Sequence, residues 1–425
     1  MNVDRFALVA LVVVNLALAP YFVFLLATSL AALASRRARR SSEDPRSRFL
    51  IVIPAHDEES GIKTTVRSCL AADYPSSLFG VLVIADNCSD RTAYLAAEAG
   101  ARVVERFDSL KKSKGYAIEY LMESLELSGE FDAFDALVII DADTTMDADL
   151  LRYFDQGLQE GRDWIQCYYT VANPDQSWRT RLMTYAFSLF NGVMLLGQNR
   201  LGASAGFKGN GMCLTTRGLR RRPWRSYGLV EDMEYSWTLR IMGEKIAFAP
   251  EVAVHGAMLG SGGAAAANQR RRWEFGRGDI RKKYLGPLLR SNRISWWEKA
   301  VSACELTIPS MGVLALLYVI VLVLNTVAWF ANGTYLPPVA RGFLLASCIL
   351  MTASMVAYGI SPFVVMRLPW RYAWSIALFP VYLIWKLLIS LKGRPQQWVR
   401  TARESQREGP RNFRDRVSAS RKLGE

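Results

Sequence analysis

Two aspartates separated by one residue, Asp141 and Asp143, have the residue types and spacing to hold a divalent metal ion. They directly follow residues 136–140, an apolar run that is typical of a buried strand. Mg²⁺ and Mn²⁺ prefer oxygen ligands such as carboxylates, and Mg²⁺ held in this way commonly contacts substrate phosphates as well. A D-x-D pair is common by chance, so it becomes informative only together with other clusters of the chain.

Two further acidic clusters follow apolar runs in the N-terminal part of the chain. The sequence Ala-His-Asp-Glu-Glu at residues 55–59 comes after the run 49–54, and Asp-Asn-Cys-Ser-Asp at residues 86–90 comes after the run 81–85. Asp and Asn also cap helices and turns, which is the simpler interpretation of any one cluster. Three such clusters at predicted strand ends instead favour a common polar ligand site.

Farther along the chain lie an acidic pair, Glu231 and Asp232, and the sequence Gln-Arg-Arg-Arg-Trp at residues 269–273. An Arg side chain can bind phosphate through two hydrogen bonds and offset the charge on a leaving diphosphate. The indole of Trp273 offers a flat face to a sugar or a base. The alternative is a basic amphipathic helix lying on lipid head groups. The sequence contains no Walker-type phosphate loop, so a P-loop enzyme is not indicated.

These side chains need a sheet whose strand ends lie together, and the sequence pattern predicts one. Apolar runs of strand length alternate with helical stretches, which is typical of an α/β protein with a doubly wound, parallel sheet. Such sheets bind ligands at the carboxyl ends of their strands. The predicted strands are 49–53, 81–85, 101–104 and 136–140, and the predicted helices are 61–72, 91–100 and 116–127.

Long apolar runs flank this domain. The chain has 425 residues, of which 51% are hydrophobic and 21% are charged. The run 6–33 is long enough to cross the roughly 30 Å hydrocarbon core, and it is too long for a signal peptide. We therefore expect an N-terminal transmembrane anchor (1–35), a cytoplasmic domain (48–300), C-terminal membrane segments (301–392) and a basic cytoplasmic tail (393–425). The C-terminal apolar runs are 308–330, 343–366 and 372–391.

The net charge of +13 is concentrated beside these apolar runs, at Arg36, Arg37, Arg39 and Arg40 and in residues 392–422. Basic clusters next to membrane spans indicate the cytoplasmic side, so we expect a multi-pass protein of the inner cell membrane. Nucleic-acid binding is the other interpretation of a basic chain, and the position of the charges disfavours it. One span before the domain and three after it would place the tail outside. We therefore expect two or three C-terminal spans, with one of the last segments interfacial or re-entrant.

The six cysteines form no C-x-x-C pair, and with only two histidines a zinc finger is not indicated. Reduced thiols in a cytosol-facing protein are the expected state.

Taken together, these residues resemble the family-2 glycosyltransferases of the GT-A fold. The resemblance runs from about Phe49 to Trp273, and it is strongest to the membrane-bound branch that includes cellulose, chitin and hyaluronan synthases and bacterial exopolysaccharide enzymes. It implies a GT-A type, doubly wound mixed sheet with flanking transmembrane helices. His56 and Asp57 stand where Tyr and Asn are commonest in the family.

The resemblance also implies roles for individual residues. Asp232 corresponds to the general base, with Glu231 as its acidic neighbour, and Asp141 and Asp143 correspond to the pair that holds the metal, Mg²⁺ or Mn²⁺. Residues 209–212, Gly-Asn-Gly-Met, would form a close-packed loop near the donor sugar. For Lys114 a solvated basic loop is the competing interpretation. The implied nucleotide-binding residues are Ala55, Glu58, Asp86, Lys114 and Asp141, and those at the acceptor and diphosphate are Gln269, Arg272 and Trp273.

The function expected from this resemblance is inverting, metal-dependent transfer of a sugar from a nucleotide-sugar, in particular a UDP-sugar, to a polysaccharide or glycan at the inner face of the membrane. Membrane lipid, and in some cases a partner subunit, would complete the set of partners. We find neither a cyclic-dinucleotide receptor domain nor the gating-loop motif of cellulose synthases in the sequence. Transfer of a single sugar to a lipid acceptor, such as a polyprenyl phosphate or a ceramide-like alcohol, is therefore the first alternative. A non-catalytic protein that binds nucleotide-sugars is the second, and a transporter is the third.

Overall fold

The structure, a computed structural model, describes residues 3–35, 41–261, 263–331 and 337–390. The predicted basic cluster at residues 36–40, the loop at 332–336 and the predicted tail at 393–425 lie outside the described residues. Within the described residues, a mixed sheet with helices on both faces is joined to long apolar helices.

The sheet has eight strands in the order β3-β2-β1-β4-β7-β6-β8-β5. The four strands predicted from the sequence, β1 to β4, form its parallel half. In the other half, β7 pairs antiparallel with both β4 and β6, β6 is parallel to β8, and β5 pairs antiparallel with β8. The strands are β1 (Phe49–Ala55), β2 (Phe79–Asp86), β3 (Arg102–Arg106), β4 (Ala136–Ile139), β5 (Thr144–Met146), β6 (Trp164–Val171), β7 (Met212–Thr215) and β8 (Ala247–Gly256).

Strand β1 shows why the sheet is covered on both faces. Its residues alternate between two cores, as the period of two in a strand requires. Leu50 and Val52 pack into the core that contains Ile118, whereas Ile51 packs into the core that contains Ile62. Because both faces of β1 are buried by helices, the strand is an almost continuous apolar run, which is the pattern that revealed it in the sequence.

The helices in the sheet domain match the predicted alternation and extend beyond it. The first three helices after β1 correspond to the predicted helices, and the longest helix of the sheet domain follows β8. The helices up to this point are α1 (Val3–Leu33), α2 (Ile62–Leu70), α3 (Thr92–Glu98), α4 (Lys114–Leu127), α5 (Leu150–Gln159), α6 (Trp178–Phe187), α7 (Met194–Arg200), α8 (Thr216–Arg221), α9 (Glu231–Ile241) and α10 (Ala264–Arg290). A π-helical turn, Ser188–Val193, joins α6 to α7.

The remaining helices are α11 (Trp296–Thr307), α12 (Met311–Ala331), α13 (Pro338–Val365), α14 (Ala373–Ile376) and α15 (Phe379–Ser390). Three helical stretches of the described chain are long and apolar enough to cross a membrane: Phe6–Leu33, Met311–Phe330 and Pro338–Val365. The third C-terminal apolar run is broken into a 3₁₀ turn, α14 and α15, so within the described residues it contributes no helix of that length.

The N-terminal helix packs against the C-terminal ones through polar as well as apolar contacts. Asn15 of α1 and Asn325 of α12 exchange two hydrogen bonds of 3.0 Å, and both side chains are buried. Amide pairs of this kind are a recognised means of joining apolar helices. This amide pair therefore joins α1 to α12, although the two helices lie far apart in the sequence.

Candidate active site

A single cavity of about 1640 Å³ lies at the carboxyl ends of β1, β2 and β4 and extends to the apolar helices. Every site residue predicted from the sequence lines it. The strand ends supply one wall and helices α9 and α10 supply another. The residues concerned are Ala55, Glu58, Asp86, Lys114, Asp141, Asp143, Glu231, Asp232, Gln269, Arg272 and Trp273.

The loops after β1 and β2 build one end of the cavity. His56 Nδ1 lies 2.7 Å from the backbone oxygen of Asp86, and Glu58 donates its N–H to Thr92 Oγ1 at 2.7 Å. Asp86 is buried, and its Oδ1 accepts a hydrogen bond from Arg106 Nη1 at 2.6 Å. Burial raises the pKa of Asp86, and Arg106 opposes that shift. Hydrogen-bond acceptors at this end fit the N–H groups of a nucleobase.

Lys114 lies in the site and not in a solvated loop. It is the first residue of α4, whose N-cap Ser113 accepts the N–H of Tyr116. The Lys114 ammonium donates to the carboxylate of Asp141 and to the backbone oxygen of Gly209. Burial alone would lower the pKa of Lys114, but the nearby carboxylates of Asp141 and Glu231 raise it. A permanently charged ammonium at this position can bind a phosphate oxygen.

The loop that contains Gly209 approaches the acidic pair closely. Gly209 has φ +79°, and a Cβ at this position would lie 3.2 Å from Asp232 Oδ2. A side chain is disfavoured there by both the backbone conformation and the space. The loop is also tied to the aspartate pair, because Asp141 donates its N–H to Asn210 Oδ1 at 3.1 Å. The loop thus connects Asp141 with Asp232.

Asp141 and Asp143 fit a divalent cation by the chemistry of their side chains. Asp143 immediately precedes β5, and its Oδ1 accepts a hydrogen bond from Thr144 Oγ1 at 3.4 Å. Burial raises the pKa of the neighbouring Tyr169, and the charges of Asp141 and Asp143 raise it further. The phenol therefore stays protonated beside these two carboxyl groups, whose oxygens are the ligands that Mg²⁺ and Mn²⁺ prefer.

A different acidic group meets a purely geometric criterion for metal binding. Ligand atoms of Asp57, Cys88 and Asp90 lie within 4.8 Å of one another. Asp57 accepts N–H bonds from Ser89 at 2.6 Å and Asp90 at 3.3 Å, and Asp90 Oδ1 accepts the N–H of Thr92 at 2.9 Å. These carboxylates are therefore used to hold two loops together.

The acidic pair opens helix α9, with Glu231 and Asp232 as its first two residues. Burial raises the pKa of Glu231 to about 7, and the charges of Lys114 and Arg272 only partly oppose this. Burial also raises the pKa of Asp232, against the opposing effects of the Met233 N–H and of Lys114. A half-buried carboxyl group whose pKa lies above its ordinary value is suited to accept a proton near neutral pH.

Helix α10 brings the last three predicted residues to the cavity. Trp273 packs against Phe187, with ring centroids 6.3 Å apart. Arg272 Nε is buried and has no hydrogen-bond partner among the described residues. The cavity is therefore lined here by a cationic side chain with unused hydrogen-bonding capacity and by an aromatic ring, together with Gln269. The sequence-level alternative of a lipid-bound basic helix does not account for this inward-facing set.

Two residues of the site were not predicted from the sequence. Arg106 ends β3 and binds Asp86, and Lys208 precedes Gly209 and lines the cavity. Burial lowers the pKa of Lys208, while the charges of Glu305 and Asp232 oppose this. The position of Arg106 at a predicted strand end was an available signal. Lys208 follows an apolar stretch that gives no indication of its surroundings.

Comparison with known families agrees with this fold. Residues 45–276 match the family described as "Glycosyltransferase like family 2", which is more than half of the chain, and the chain belongs to this family. The chain is similar to a glucomannan 4-beta-mannosyltransferase of Oryza sativa, with 23% identity over 260 residues, 59% of this chain and 49% of the relative. It is also similar to a low-salt glycan biosynthesis hexosyltransferase of Haloferax volcanii, with 35% identity over 97 residues, 23% of this chain and 21% of the relative. The matches thus span less than half the length of these two relatives.

A solved structure shares the fold over nearly the whole chain. The mannosyltransferase of Pyrobaculum calidifontis, in complex with GDP-mannose and Mn²⁺, matches with a TM-score of 0.53 at 14% identity, and the match covers 92% of this chain and 99% of that one. At this identity the likeness shows the fold alone. The chain therefore has the GT-A fold that its sequence predicted, with apolar helices that suggest association with a membrane.

Proposed function

We propose that this protein transfers a sugar from a nucleotide-sugar, with inversion at the anomeric carbon, to an acceptor that approaches from the membrane side. The observation that carries the proposal is the connection between its two acidic pairs. Lys114 bridges Asp141 and Gly209, and Gly209 in turn lies against Asp232. The candidate metal-binding pair and the candidate base thus line one cavity.

The donor would lie along the strand ends. Asp86 and the loop containing Glu58 supply acceptors for the base, and Lys114 and Arg272 supply positive charge for the diphosphate. Asp141 and Asp143 would hold Mg²⁺ or Mn²⁺. When bound, such an ion supplies Lewis-acid stabilisation of the diphosphate. Gln269 lines the same cavity as Arg272.

Asp232 is the proposed base, with Glu231 as its neighbour. An acceptor hydroxyl oxygen forms a bond to the anomeric carbon, and the bond from that carbon to the diphosphate oxygen breaks. The electron pair leaves with the nucleoside diphosphate, and the hydroxyl proton goes to Asp232. Because the displacement has one step, the configuration inverts. The raised pKa of Asp232 makes it a stronger base than an exposed aspartate.

Two acceptors remain candidates. A polysaccharide or glycan acceptor at the inner face of a membrane is the expectation from the family resemblance, and stacking on Trp273 would suit it. A lipid-linked acceptor is supported by the extension of the cavity to apolar residues of α1, α12 and α13, such as Leu25, Met311 and Met355.

The test is a donor screen with the full chain in nanodiscs. UDP- and GDP-sugars are supplied with Mn²⁺, Mg²⁺ or EDTA, together with a membrane extract as the source of acceptor. We expect metal-dependent release of nucleoside diphosphate with one donor and a radiolabelled product. A water-soluble product of high molecular weight indicates a glycan acceptor, whereas an organic-soluble product with one sugar indicates a lipid. Nucleotide binding without turnover of any donor would contradict the proposal and favour a binding protein.

A further inference from the structure

The cavity is larger than a pocket for one small ligand, and its lining changes along its length. Its volume of about 1640 Å³ exceeds the roughly 300–1,000 Å³ of an ordinary ligand pocket. Charged side chains line the part at the strand ends, whereas apolar side chains of α1, α12, α13 and α15 line the far part. These apolar residues include Leu25, Met311, Ala315, Met355, Phe379 and Leu383. The far part therefore has room for a second ligand, and its lining suits hydrocarbon.

Two half-buried cations, Lys208 and Arg277, line the cavity where its two parts meet. Lys208 directly precedes Gly209, the residue that lies against Asp232. Arg277 of α10 donates through Nη2 to the backbone oxygen of Ile308 at 2.7 Å, shortly before α12 begins. Burial lowers the pKa of Lys208, the charge of Asp232 opposes this, and the charge of Arg277 adds to it. The two cations thus connect the candidate base with the apolar helices.

The carboxylates that act on these two cations are paired with other residues. Glu305 of α11 forms an ion pair with Arg240 at 2.6 Å and accepts a hydrogen bond from Gln198 Nε2 at 2.8 Å. Glu274 of α10 forms an ion pair with Lys386 at 2.7 Å. In the part of the chain that the structure describes, neither cation has a carboxylate at ion-pair distance. Because an unpaired charge is costly to bury, an anionic ligand would stabilise both.

Tyr358 of α13 adds a hydroxyl group with no protein partner to the same junction. Its side chain lines the cavity and is 1% exposed, and its hydroxyl oxygen has no hydrogen-bond partner among the described residues. Burial lowers the pKa of Arg277, and the Tyr358 phenol is among the groups that oppose this, so the two side chains lie near each other. An ammonium, a guanidinium and a hydroxyl group are all donors that suit phosphate oxygens.

These donors differ from those proposed for the donor diphosphate. Lys114 donates to Asp141, in the candidate metal-binding pair. The carboxylate with the largest effect on the pKa of Lys208 is instead that of Glu305 in α11, which raises it against the effect of burial. Burial raises the pKa of Asp232, and both lysines oppose this shift. The candidate base is therefore within range of both cationic positions, and an anion at the second one would lie toward α11, α12 and α13.

We propose that the acceptor is an anionic phospholipid with a hydroxylated head group, whose phosphate binds Lys208, Arg277 and Tyr358 and whose acyl chains lie in the apolar part of the cavity. This inference rests on the proposed function for the transfer step. A head-group hydroxyl oxygen bonds to the anomeric carbon, the bond from that carbon to the diphosphate oxygen breaks with its electron pair, and the proton goes to Asp232. The lipid phosphate takes no part in the bond changes and holds the hydroxyl near the base.

Four lipids separate the contribution of the phosphate from that of the hydroxyl group. Phosphatidylglycerol has both, phosphatidic acid has only the anionic phosphate, diacylglycerol has only the hydroxyl, and phosphatidylcholine has neither a free hydroxyl nor a net charge. Native mass spectrometry of the full chain in detergent, without nucleotide-sugar, measures which lipid is retained from equal mixtures. We expect the two anionic lipids to be retained about tenfold or more over the other two, as charge-assisted hydrogen bonds predict. With the donor supplied, phosphatidylglycerol should yield the organic-soluble product with one sugar.

Two substitutions at the junction test the phosphate contacts. We expect Lys208→Gln to lower retention of phosphatidylglycerol about tenfold or more and to leave UDP and GDP binding unchanged. Tyr358→Phe removes only the hydroxyl group, so it should preserve the fold and lower retention by a smaller factor. The matched control is Lys245→Gln, because Lys245 is exposed and donates to the backbone oxygen of Gly202 at 2.8 Å.

A pair of substitutions on α12 tests the position of the acyl chains. Ala315→Phe places a ring in the apolar part of the cavity, so it should lower retention of both anionic lipids and leave nucleotide binding unchanged. Val313→Phe is the control on the same helix, since Val313 is 37% exposed on the outer surface of the protein. Equal effects of the two substitutions would place the lipid outside the cavity and overturn that part of the inference.

Several other outcomes would overturn the inference. Equal retention of phosphatidylcholine and phosphatidylglycerol would remove the anionic site, and equal losses in Lys208→Gln and Lys245→Gln would show an effect of net charge alone. Loss of nucleotide binding in Lys208→Gln, with lipid retention unchanged, would assign Lys208 to the donor. A water-soluble polymer in the donor screen would exclude the lipid as acceptor and leave the transferase function standing. Selective retention of anionic lipid without turnover of any donor would instead contradict the proposed function and support the lipid site.

Discussion

Lys114 and Asp141 form an ion pair inside the cavity, and the same ammonium binds the backbone oxygen of Gly209. Replacing Lys114 with Met leaves Asp141 without its counter-charge and removes a cation from the diphosphate position. We expect Lys114→Met to weaken UDP or GDP binding about 10- to 100-fold, the value of one hydrogen bond to a charged group. Isothermal titration calorimetry with Mn²⁺ present measures the dissociation constant of the nucleotide for the native protein and the variant.

The control for this change is Lys111→Met in the loop that precedes α4. Lys111 is exposed and lies over the ring of Tyr116 at 5.8 Å, so its loss should leave nucleotide affinity unchanged. Equal losses in both variants would show that the effect is one of overall charge and that Lys114 has no specific contact.

Asp232 provides the test of the proposed base. Asp232→Asn keeps the shape of the side chain but cannot accept a proton, so transfer should fall about a hundredfold to ten-thousandfold, the usual contribution of general base catalysis. Nucleotide affinity should change little. The control is Glu234→Gln in the same turn of α9, because Glu234 is paired with Lys283 away from the reaction. Normal turnover by Asp232→Asn would assign the base to another residue.

The parallel half of the sheet could be predicted because each of its strands is a short apolar run. β1 has the sequence Phe-Leu-Ile-Val-Ile-Pro-Ala, and both of its faces are buried. The other half gave no such signal: β5 has only three residues, and the run of β8 is interrupted by Pro250 and Glu251. The strand order in that half of the sheet depends on pairing between strands that lie far apart in the sequence. The last apolar run, 372–391, is the least regular of the three, since it is divided between α14 and α15 close to Pro380.

The predicted site residues all reach the cavity because each follows a strand or begins or lines a helix there. What the sequence could not provide was the partner of each charge. Lys386 is a single charged residue in an apolar run, and its partner Glu274 lies more than a hundred positions away in the chain. Arg179 lies in a stretch that resembles an ordinary basic helix. Its lack of a carboxylate partner becomes visible only when α6, α10 and α15 are brought together.

The raised pKa values of the acidic pair predict the dependence of the reaction on pH. The base must be ionised, so kcat/KM should rise with pH until the raised pKa of Asp232 is passed. Glu231, with a pKa of about 7, and Asp232 repel each other when both are ionised. Glu231→Gln removes that repulsion and should move the acidic limb to lower pH. The coupling would be contradicted if the acidic limb of the kcat/KM profile did not move in Glu231→Gln. It would also be contradicted if the native protein already gave an apparent pKa near the ordinary value of about 3.9 for an aspartate.

A substitution of Asp143 distinguishes the proposed metal site at Asp141 and Asp143 from the group formed by Asp57, Cys88 and Asp90. Nucleoside diphosphate should bind the native protein more tightly with Mn²⁺ than with EDTA, because Asp141 and Asp143 would hold the ion and the ion would supply positive charge to the phosphates. Asp143→Ala should bind equally in both conditions. Asp90→Asn is the control, since Asp90 belongs to the loop group with Asp57 and Cys88. If the metal dependence disappears in Asp90→Asn and survives in Asp143→Ala, the metal lies in that group instead.

The amide pair between α1 and α12 predicts a stability effect distant from the site. Asn325→Leu leaves the Asn15 oxygen without the N–H that it accepts at 3.0 Å. We expect a loss of about 0.6 to 1.7 kcal/mol in the free energy of unfolding, the range for hydrogen bonds between apolar helices. Replacing both residues with Leu should restore most of it, because no polar group is then left unpaired. Thr326→Val is the control, since Thr326 bonds only to Leu322 of its own helix. Thermal unfolding in one detergent ranks the four proteins, and a double variant no more stable than Asn325→Leu would mean that apolar packing, and not the amide pair, joins these helices.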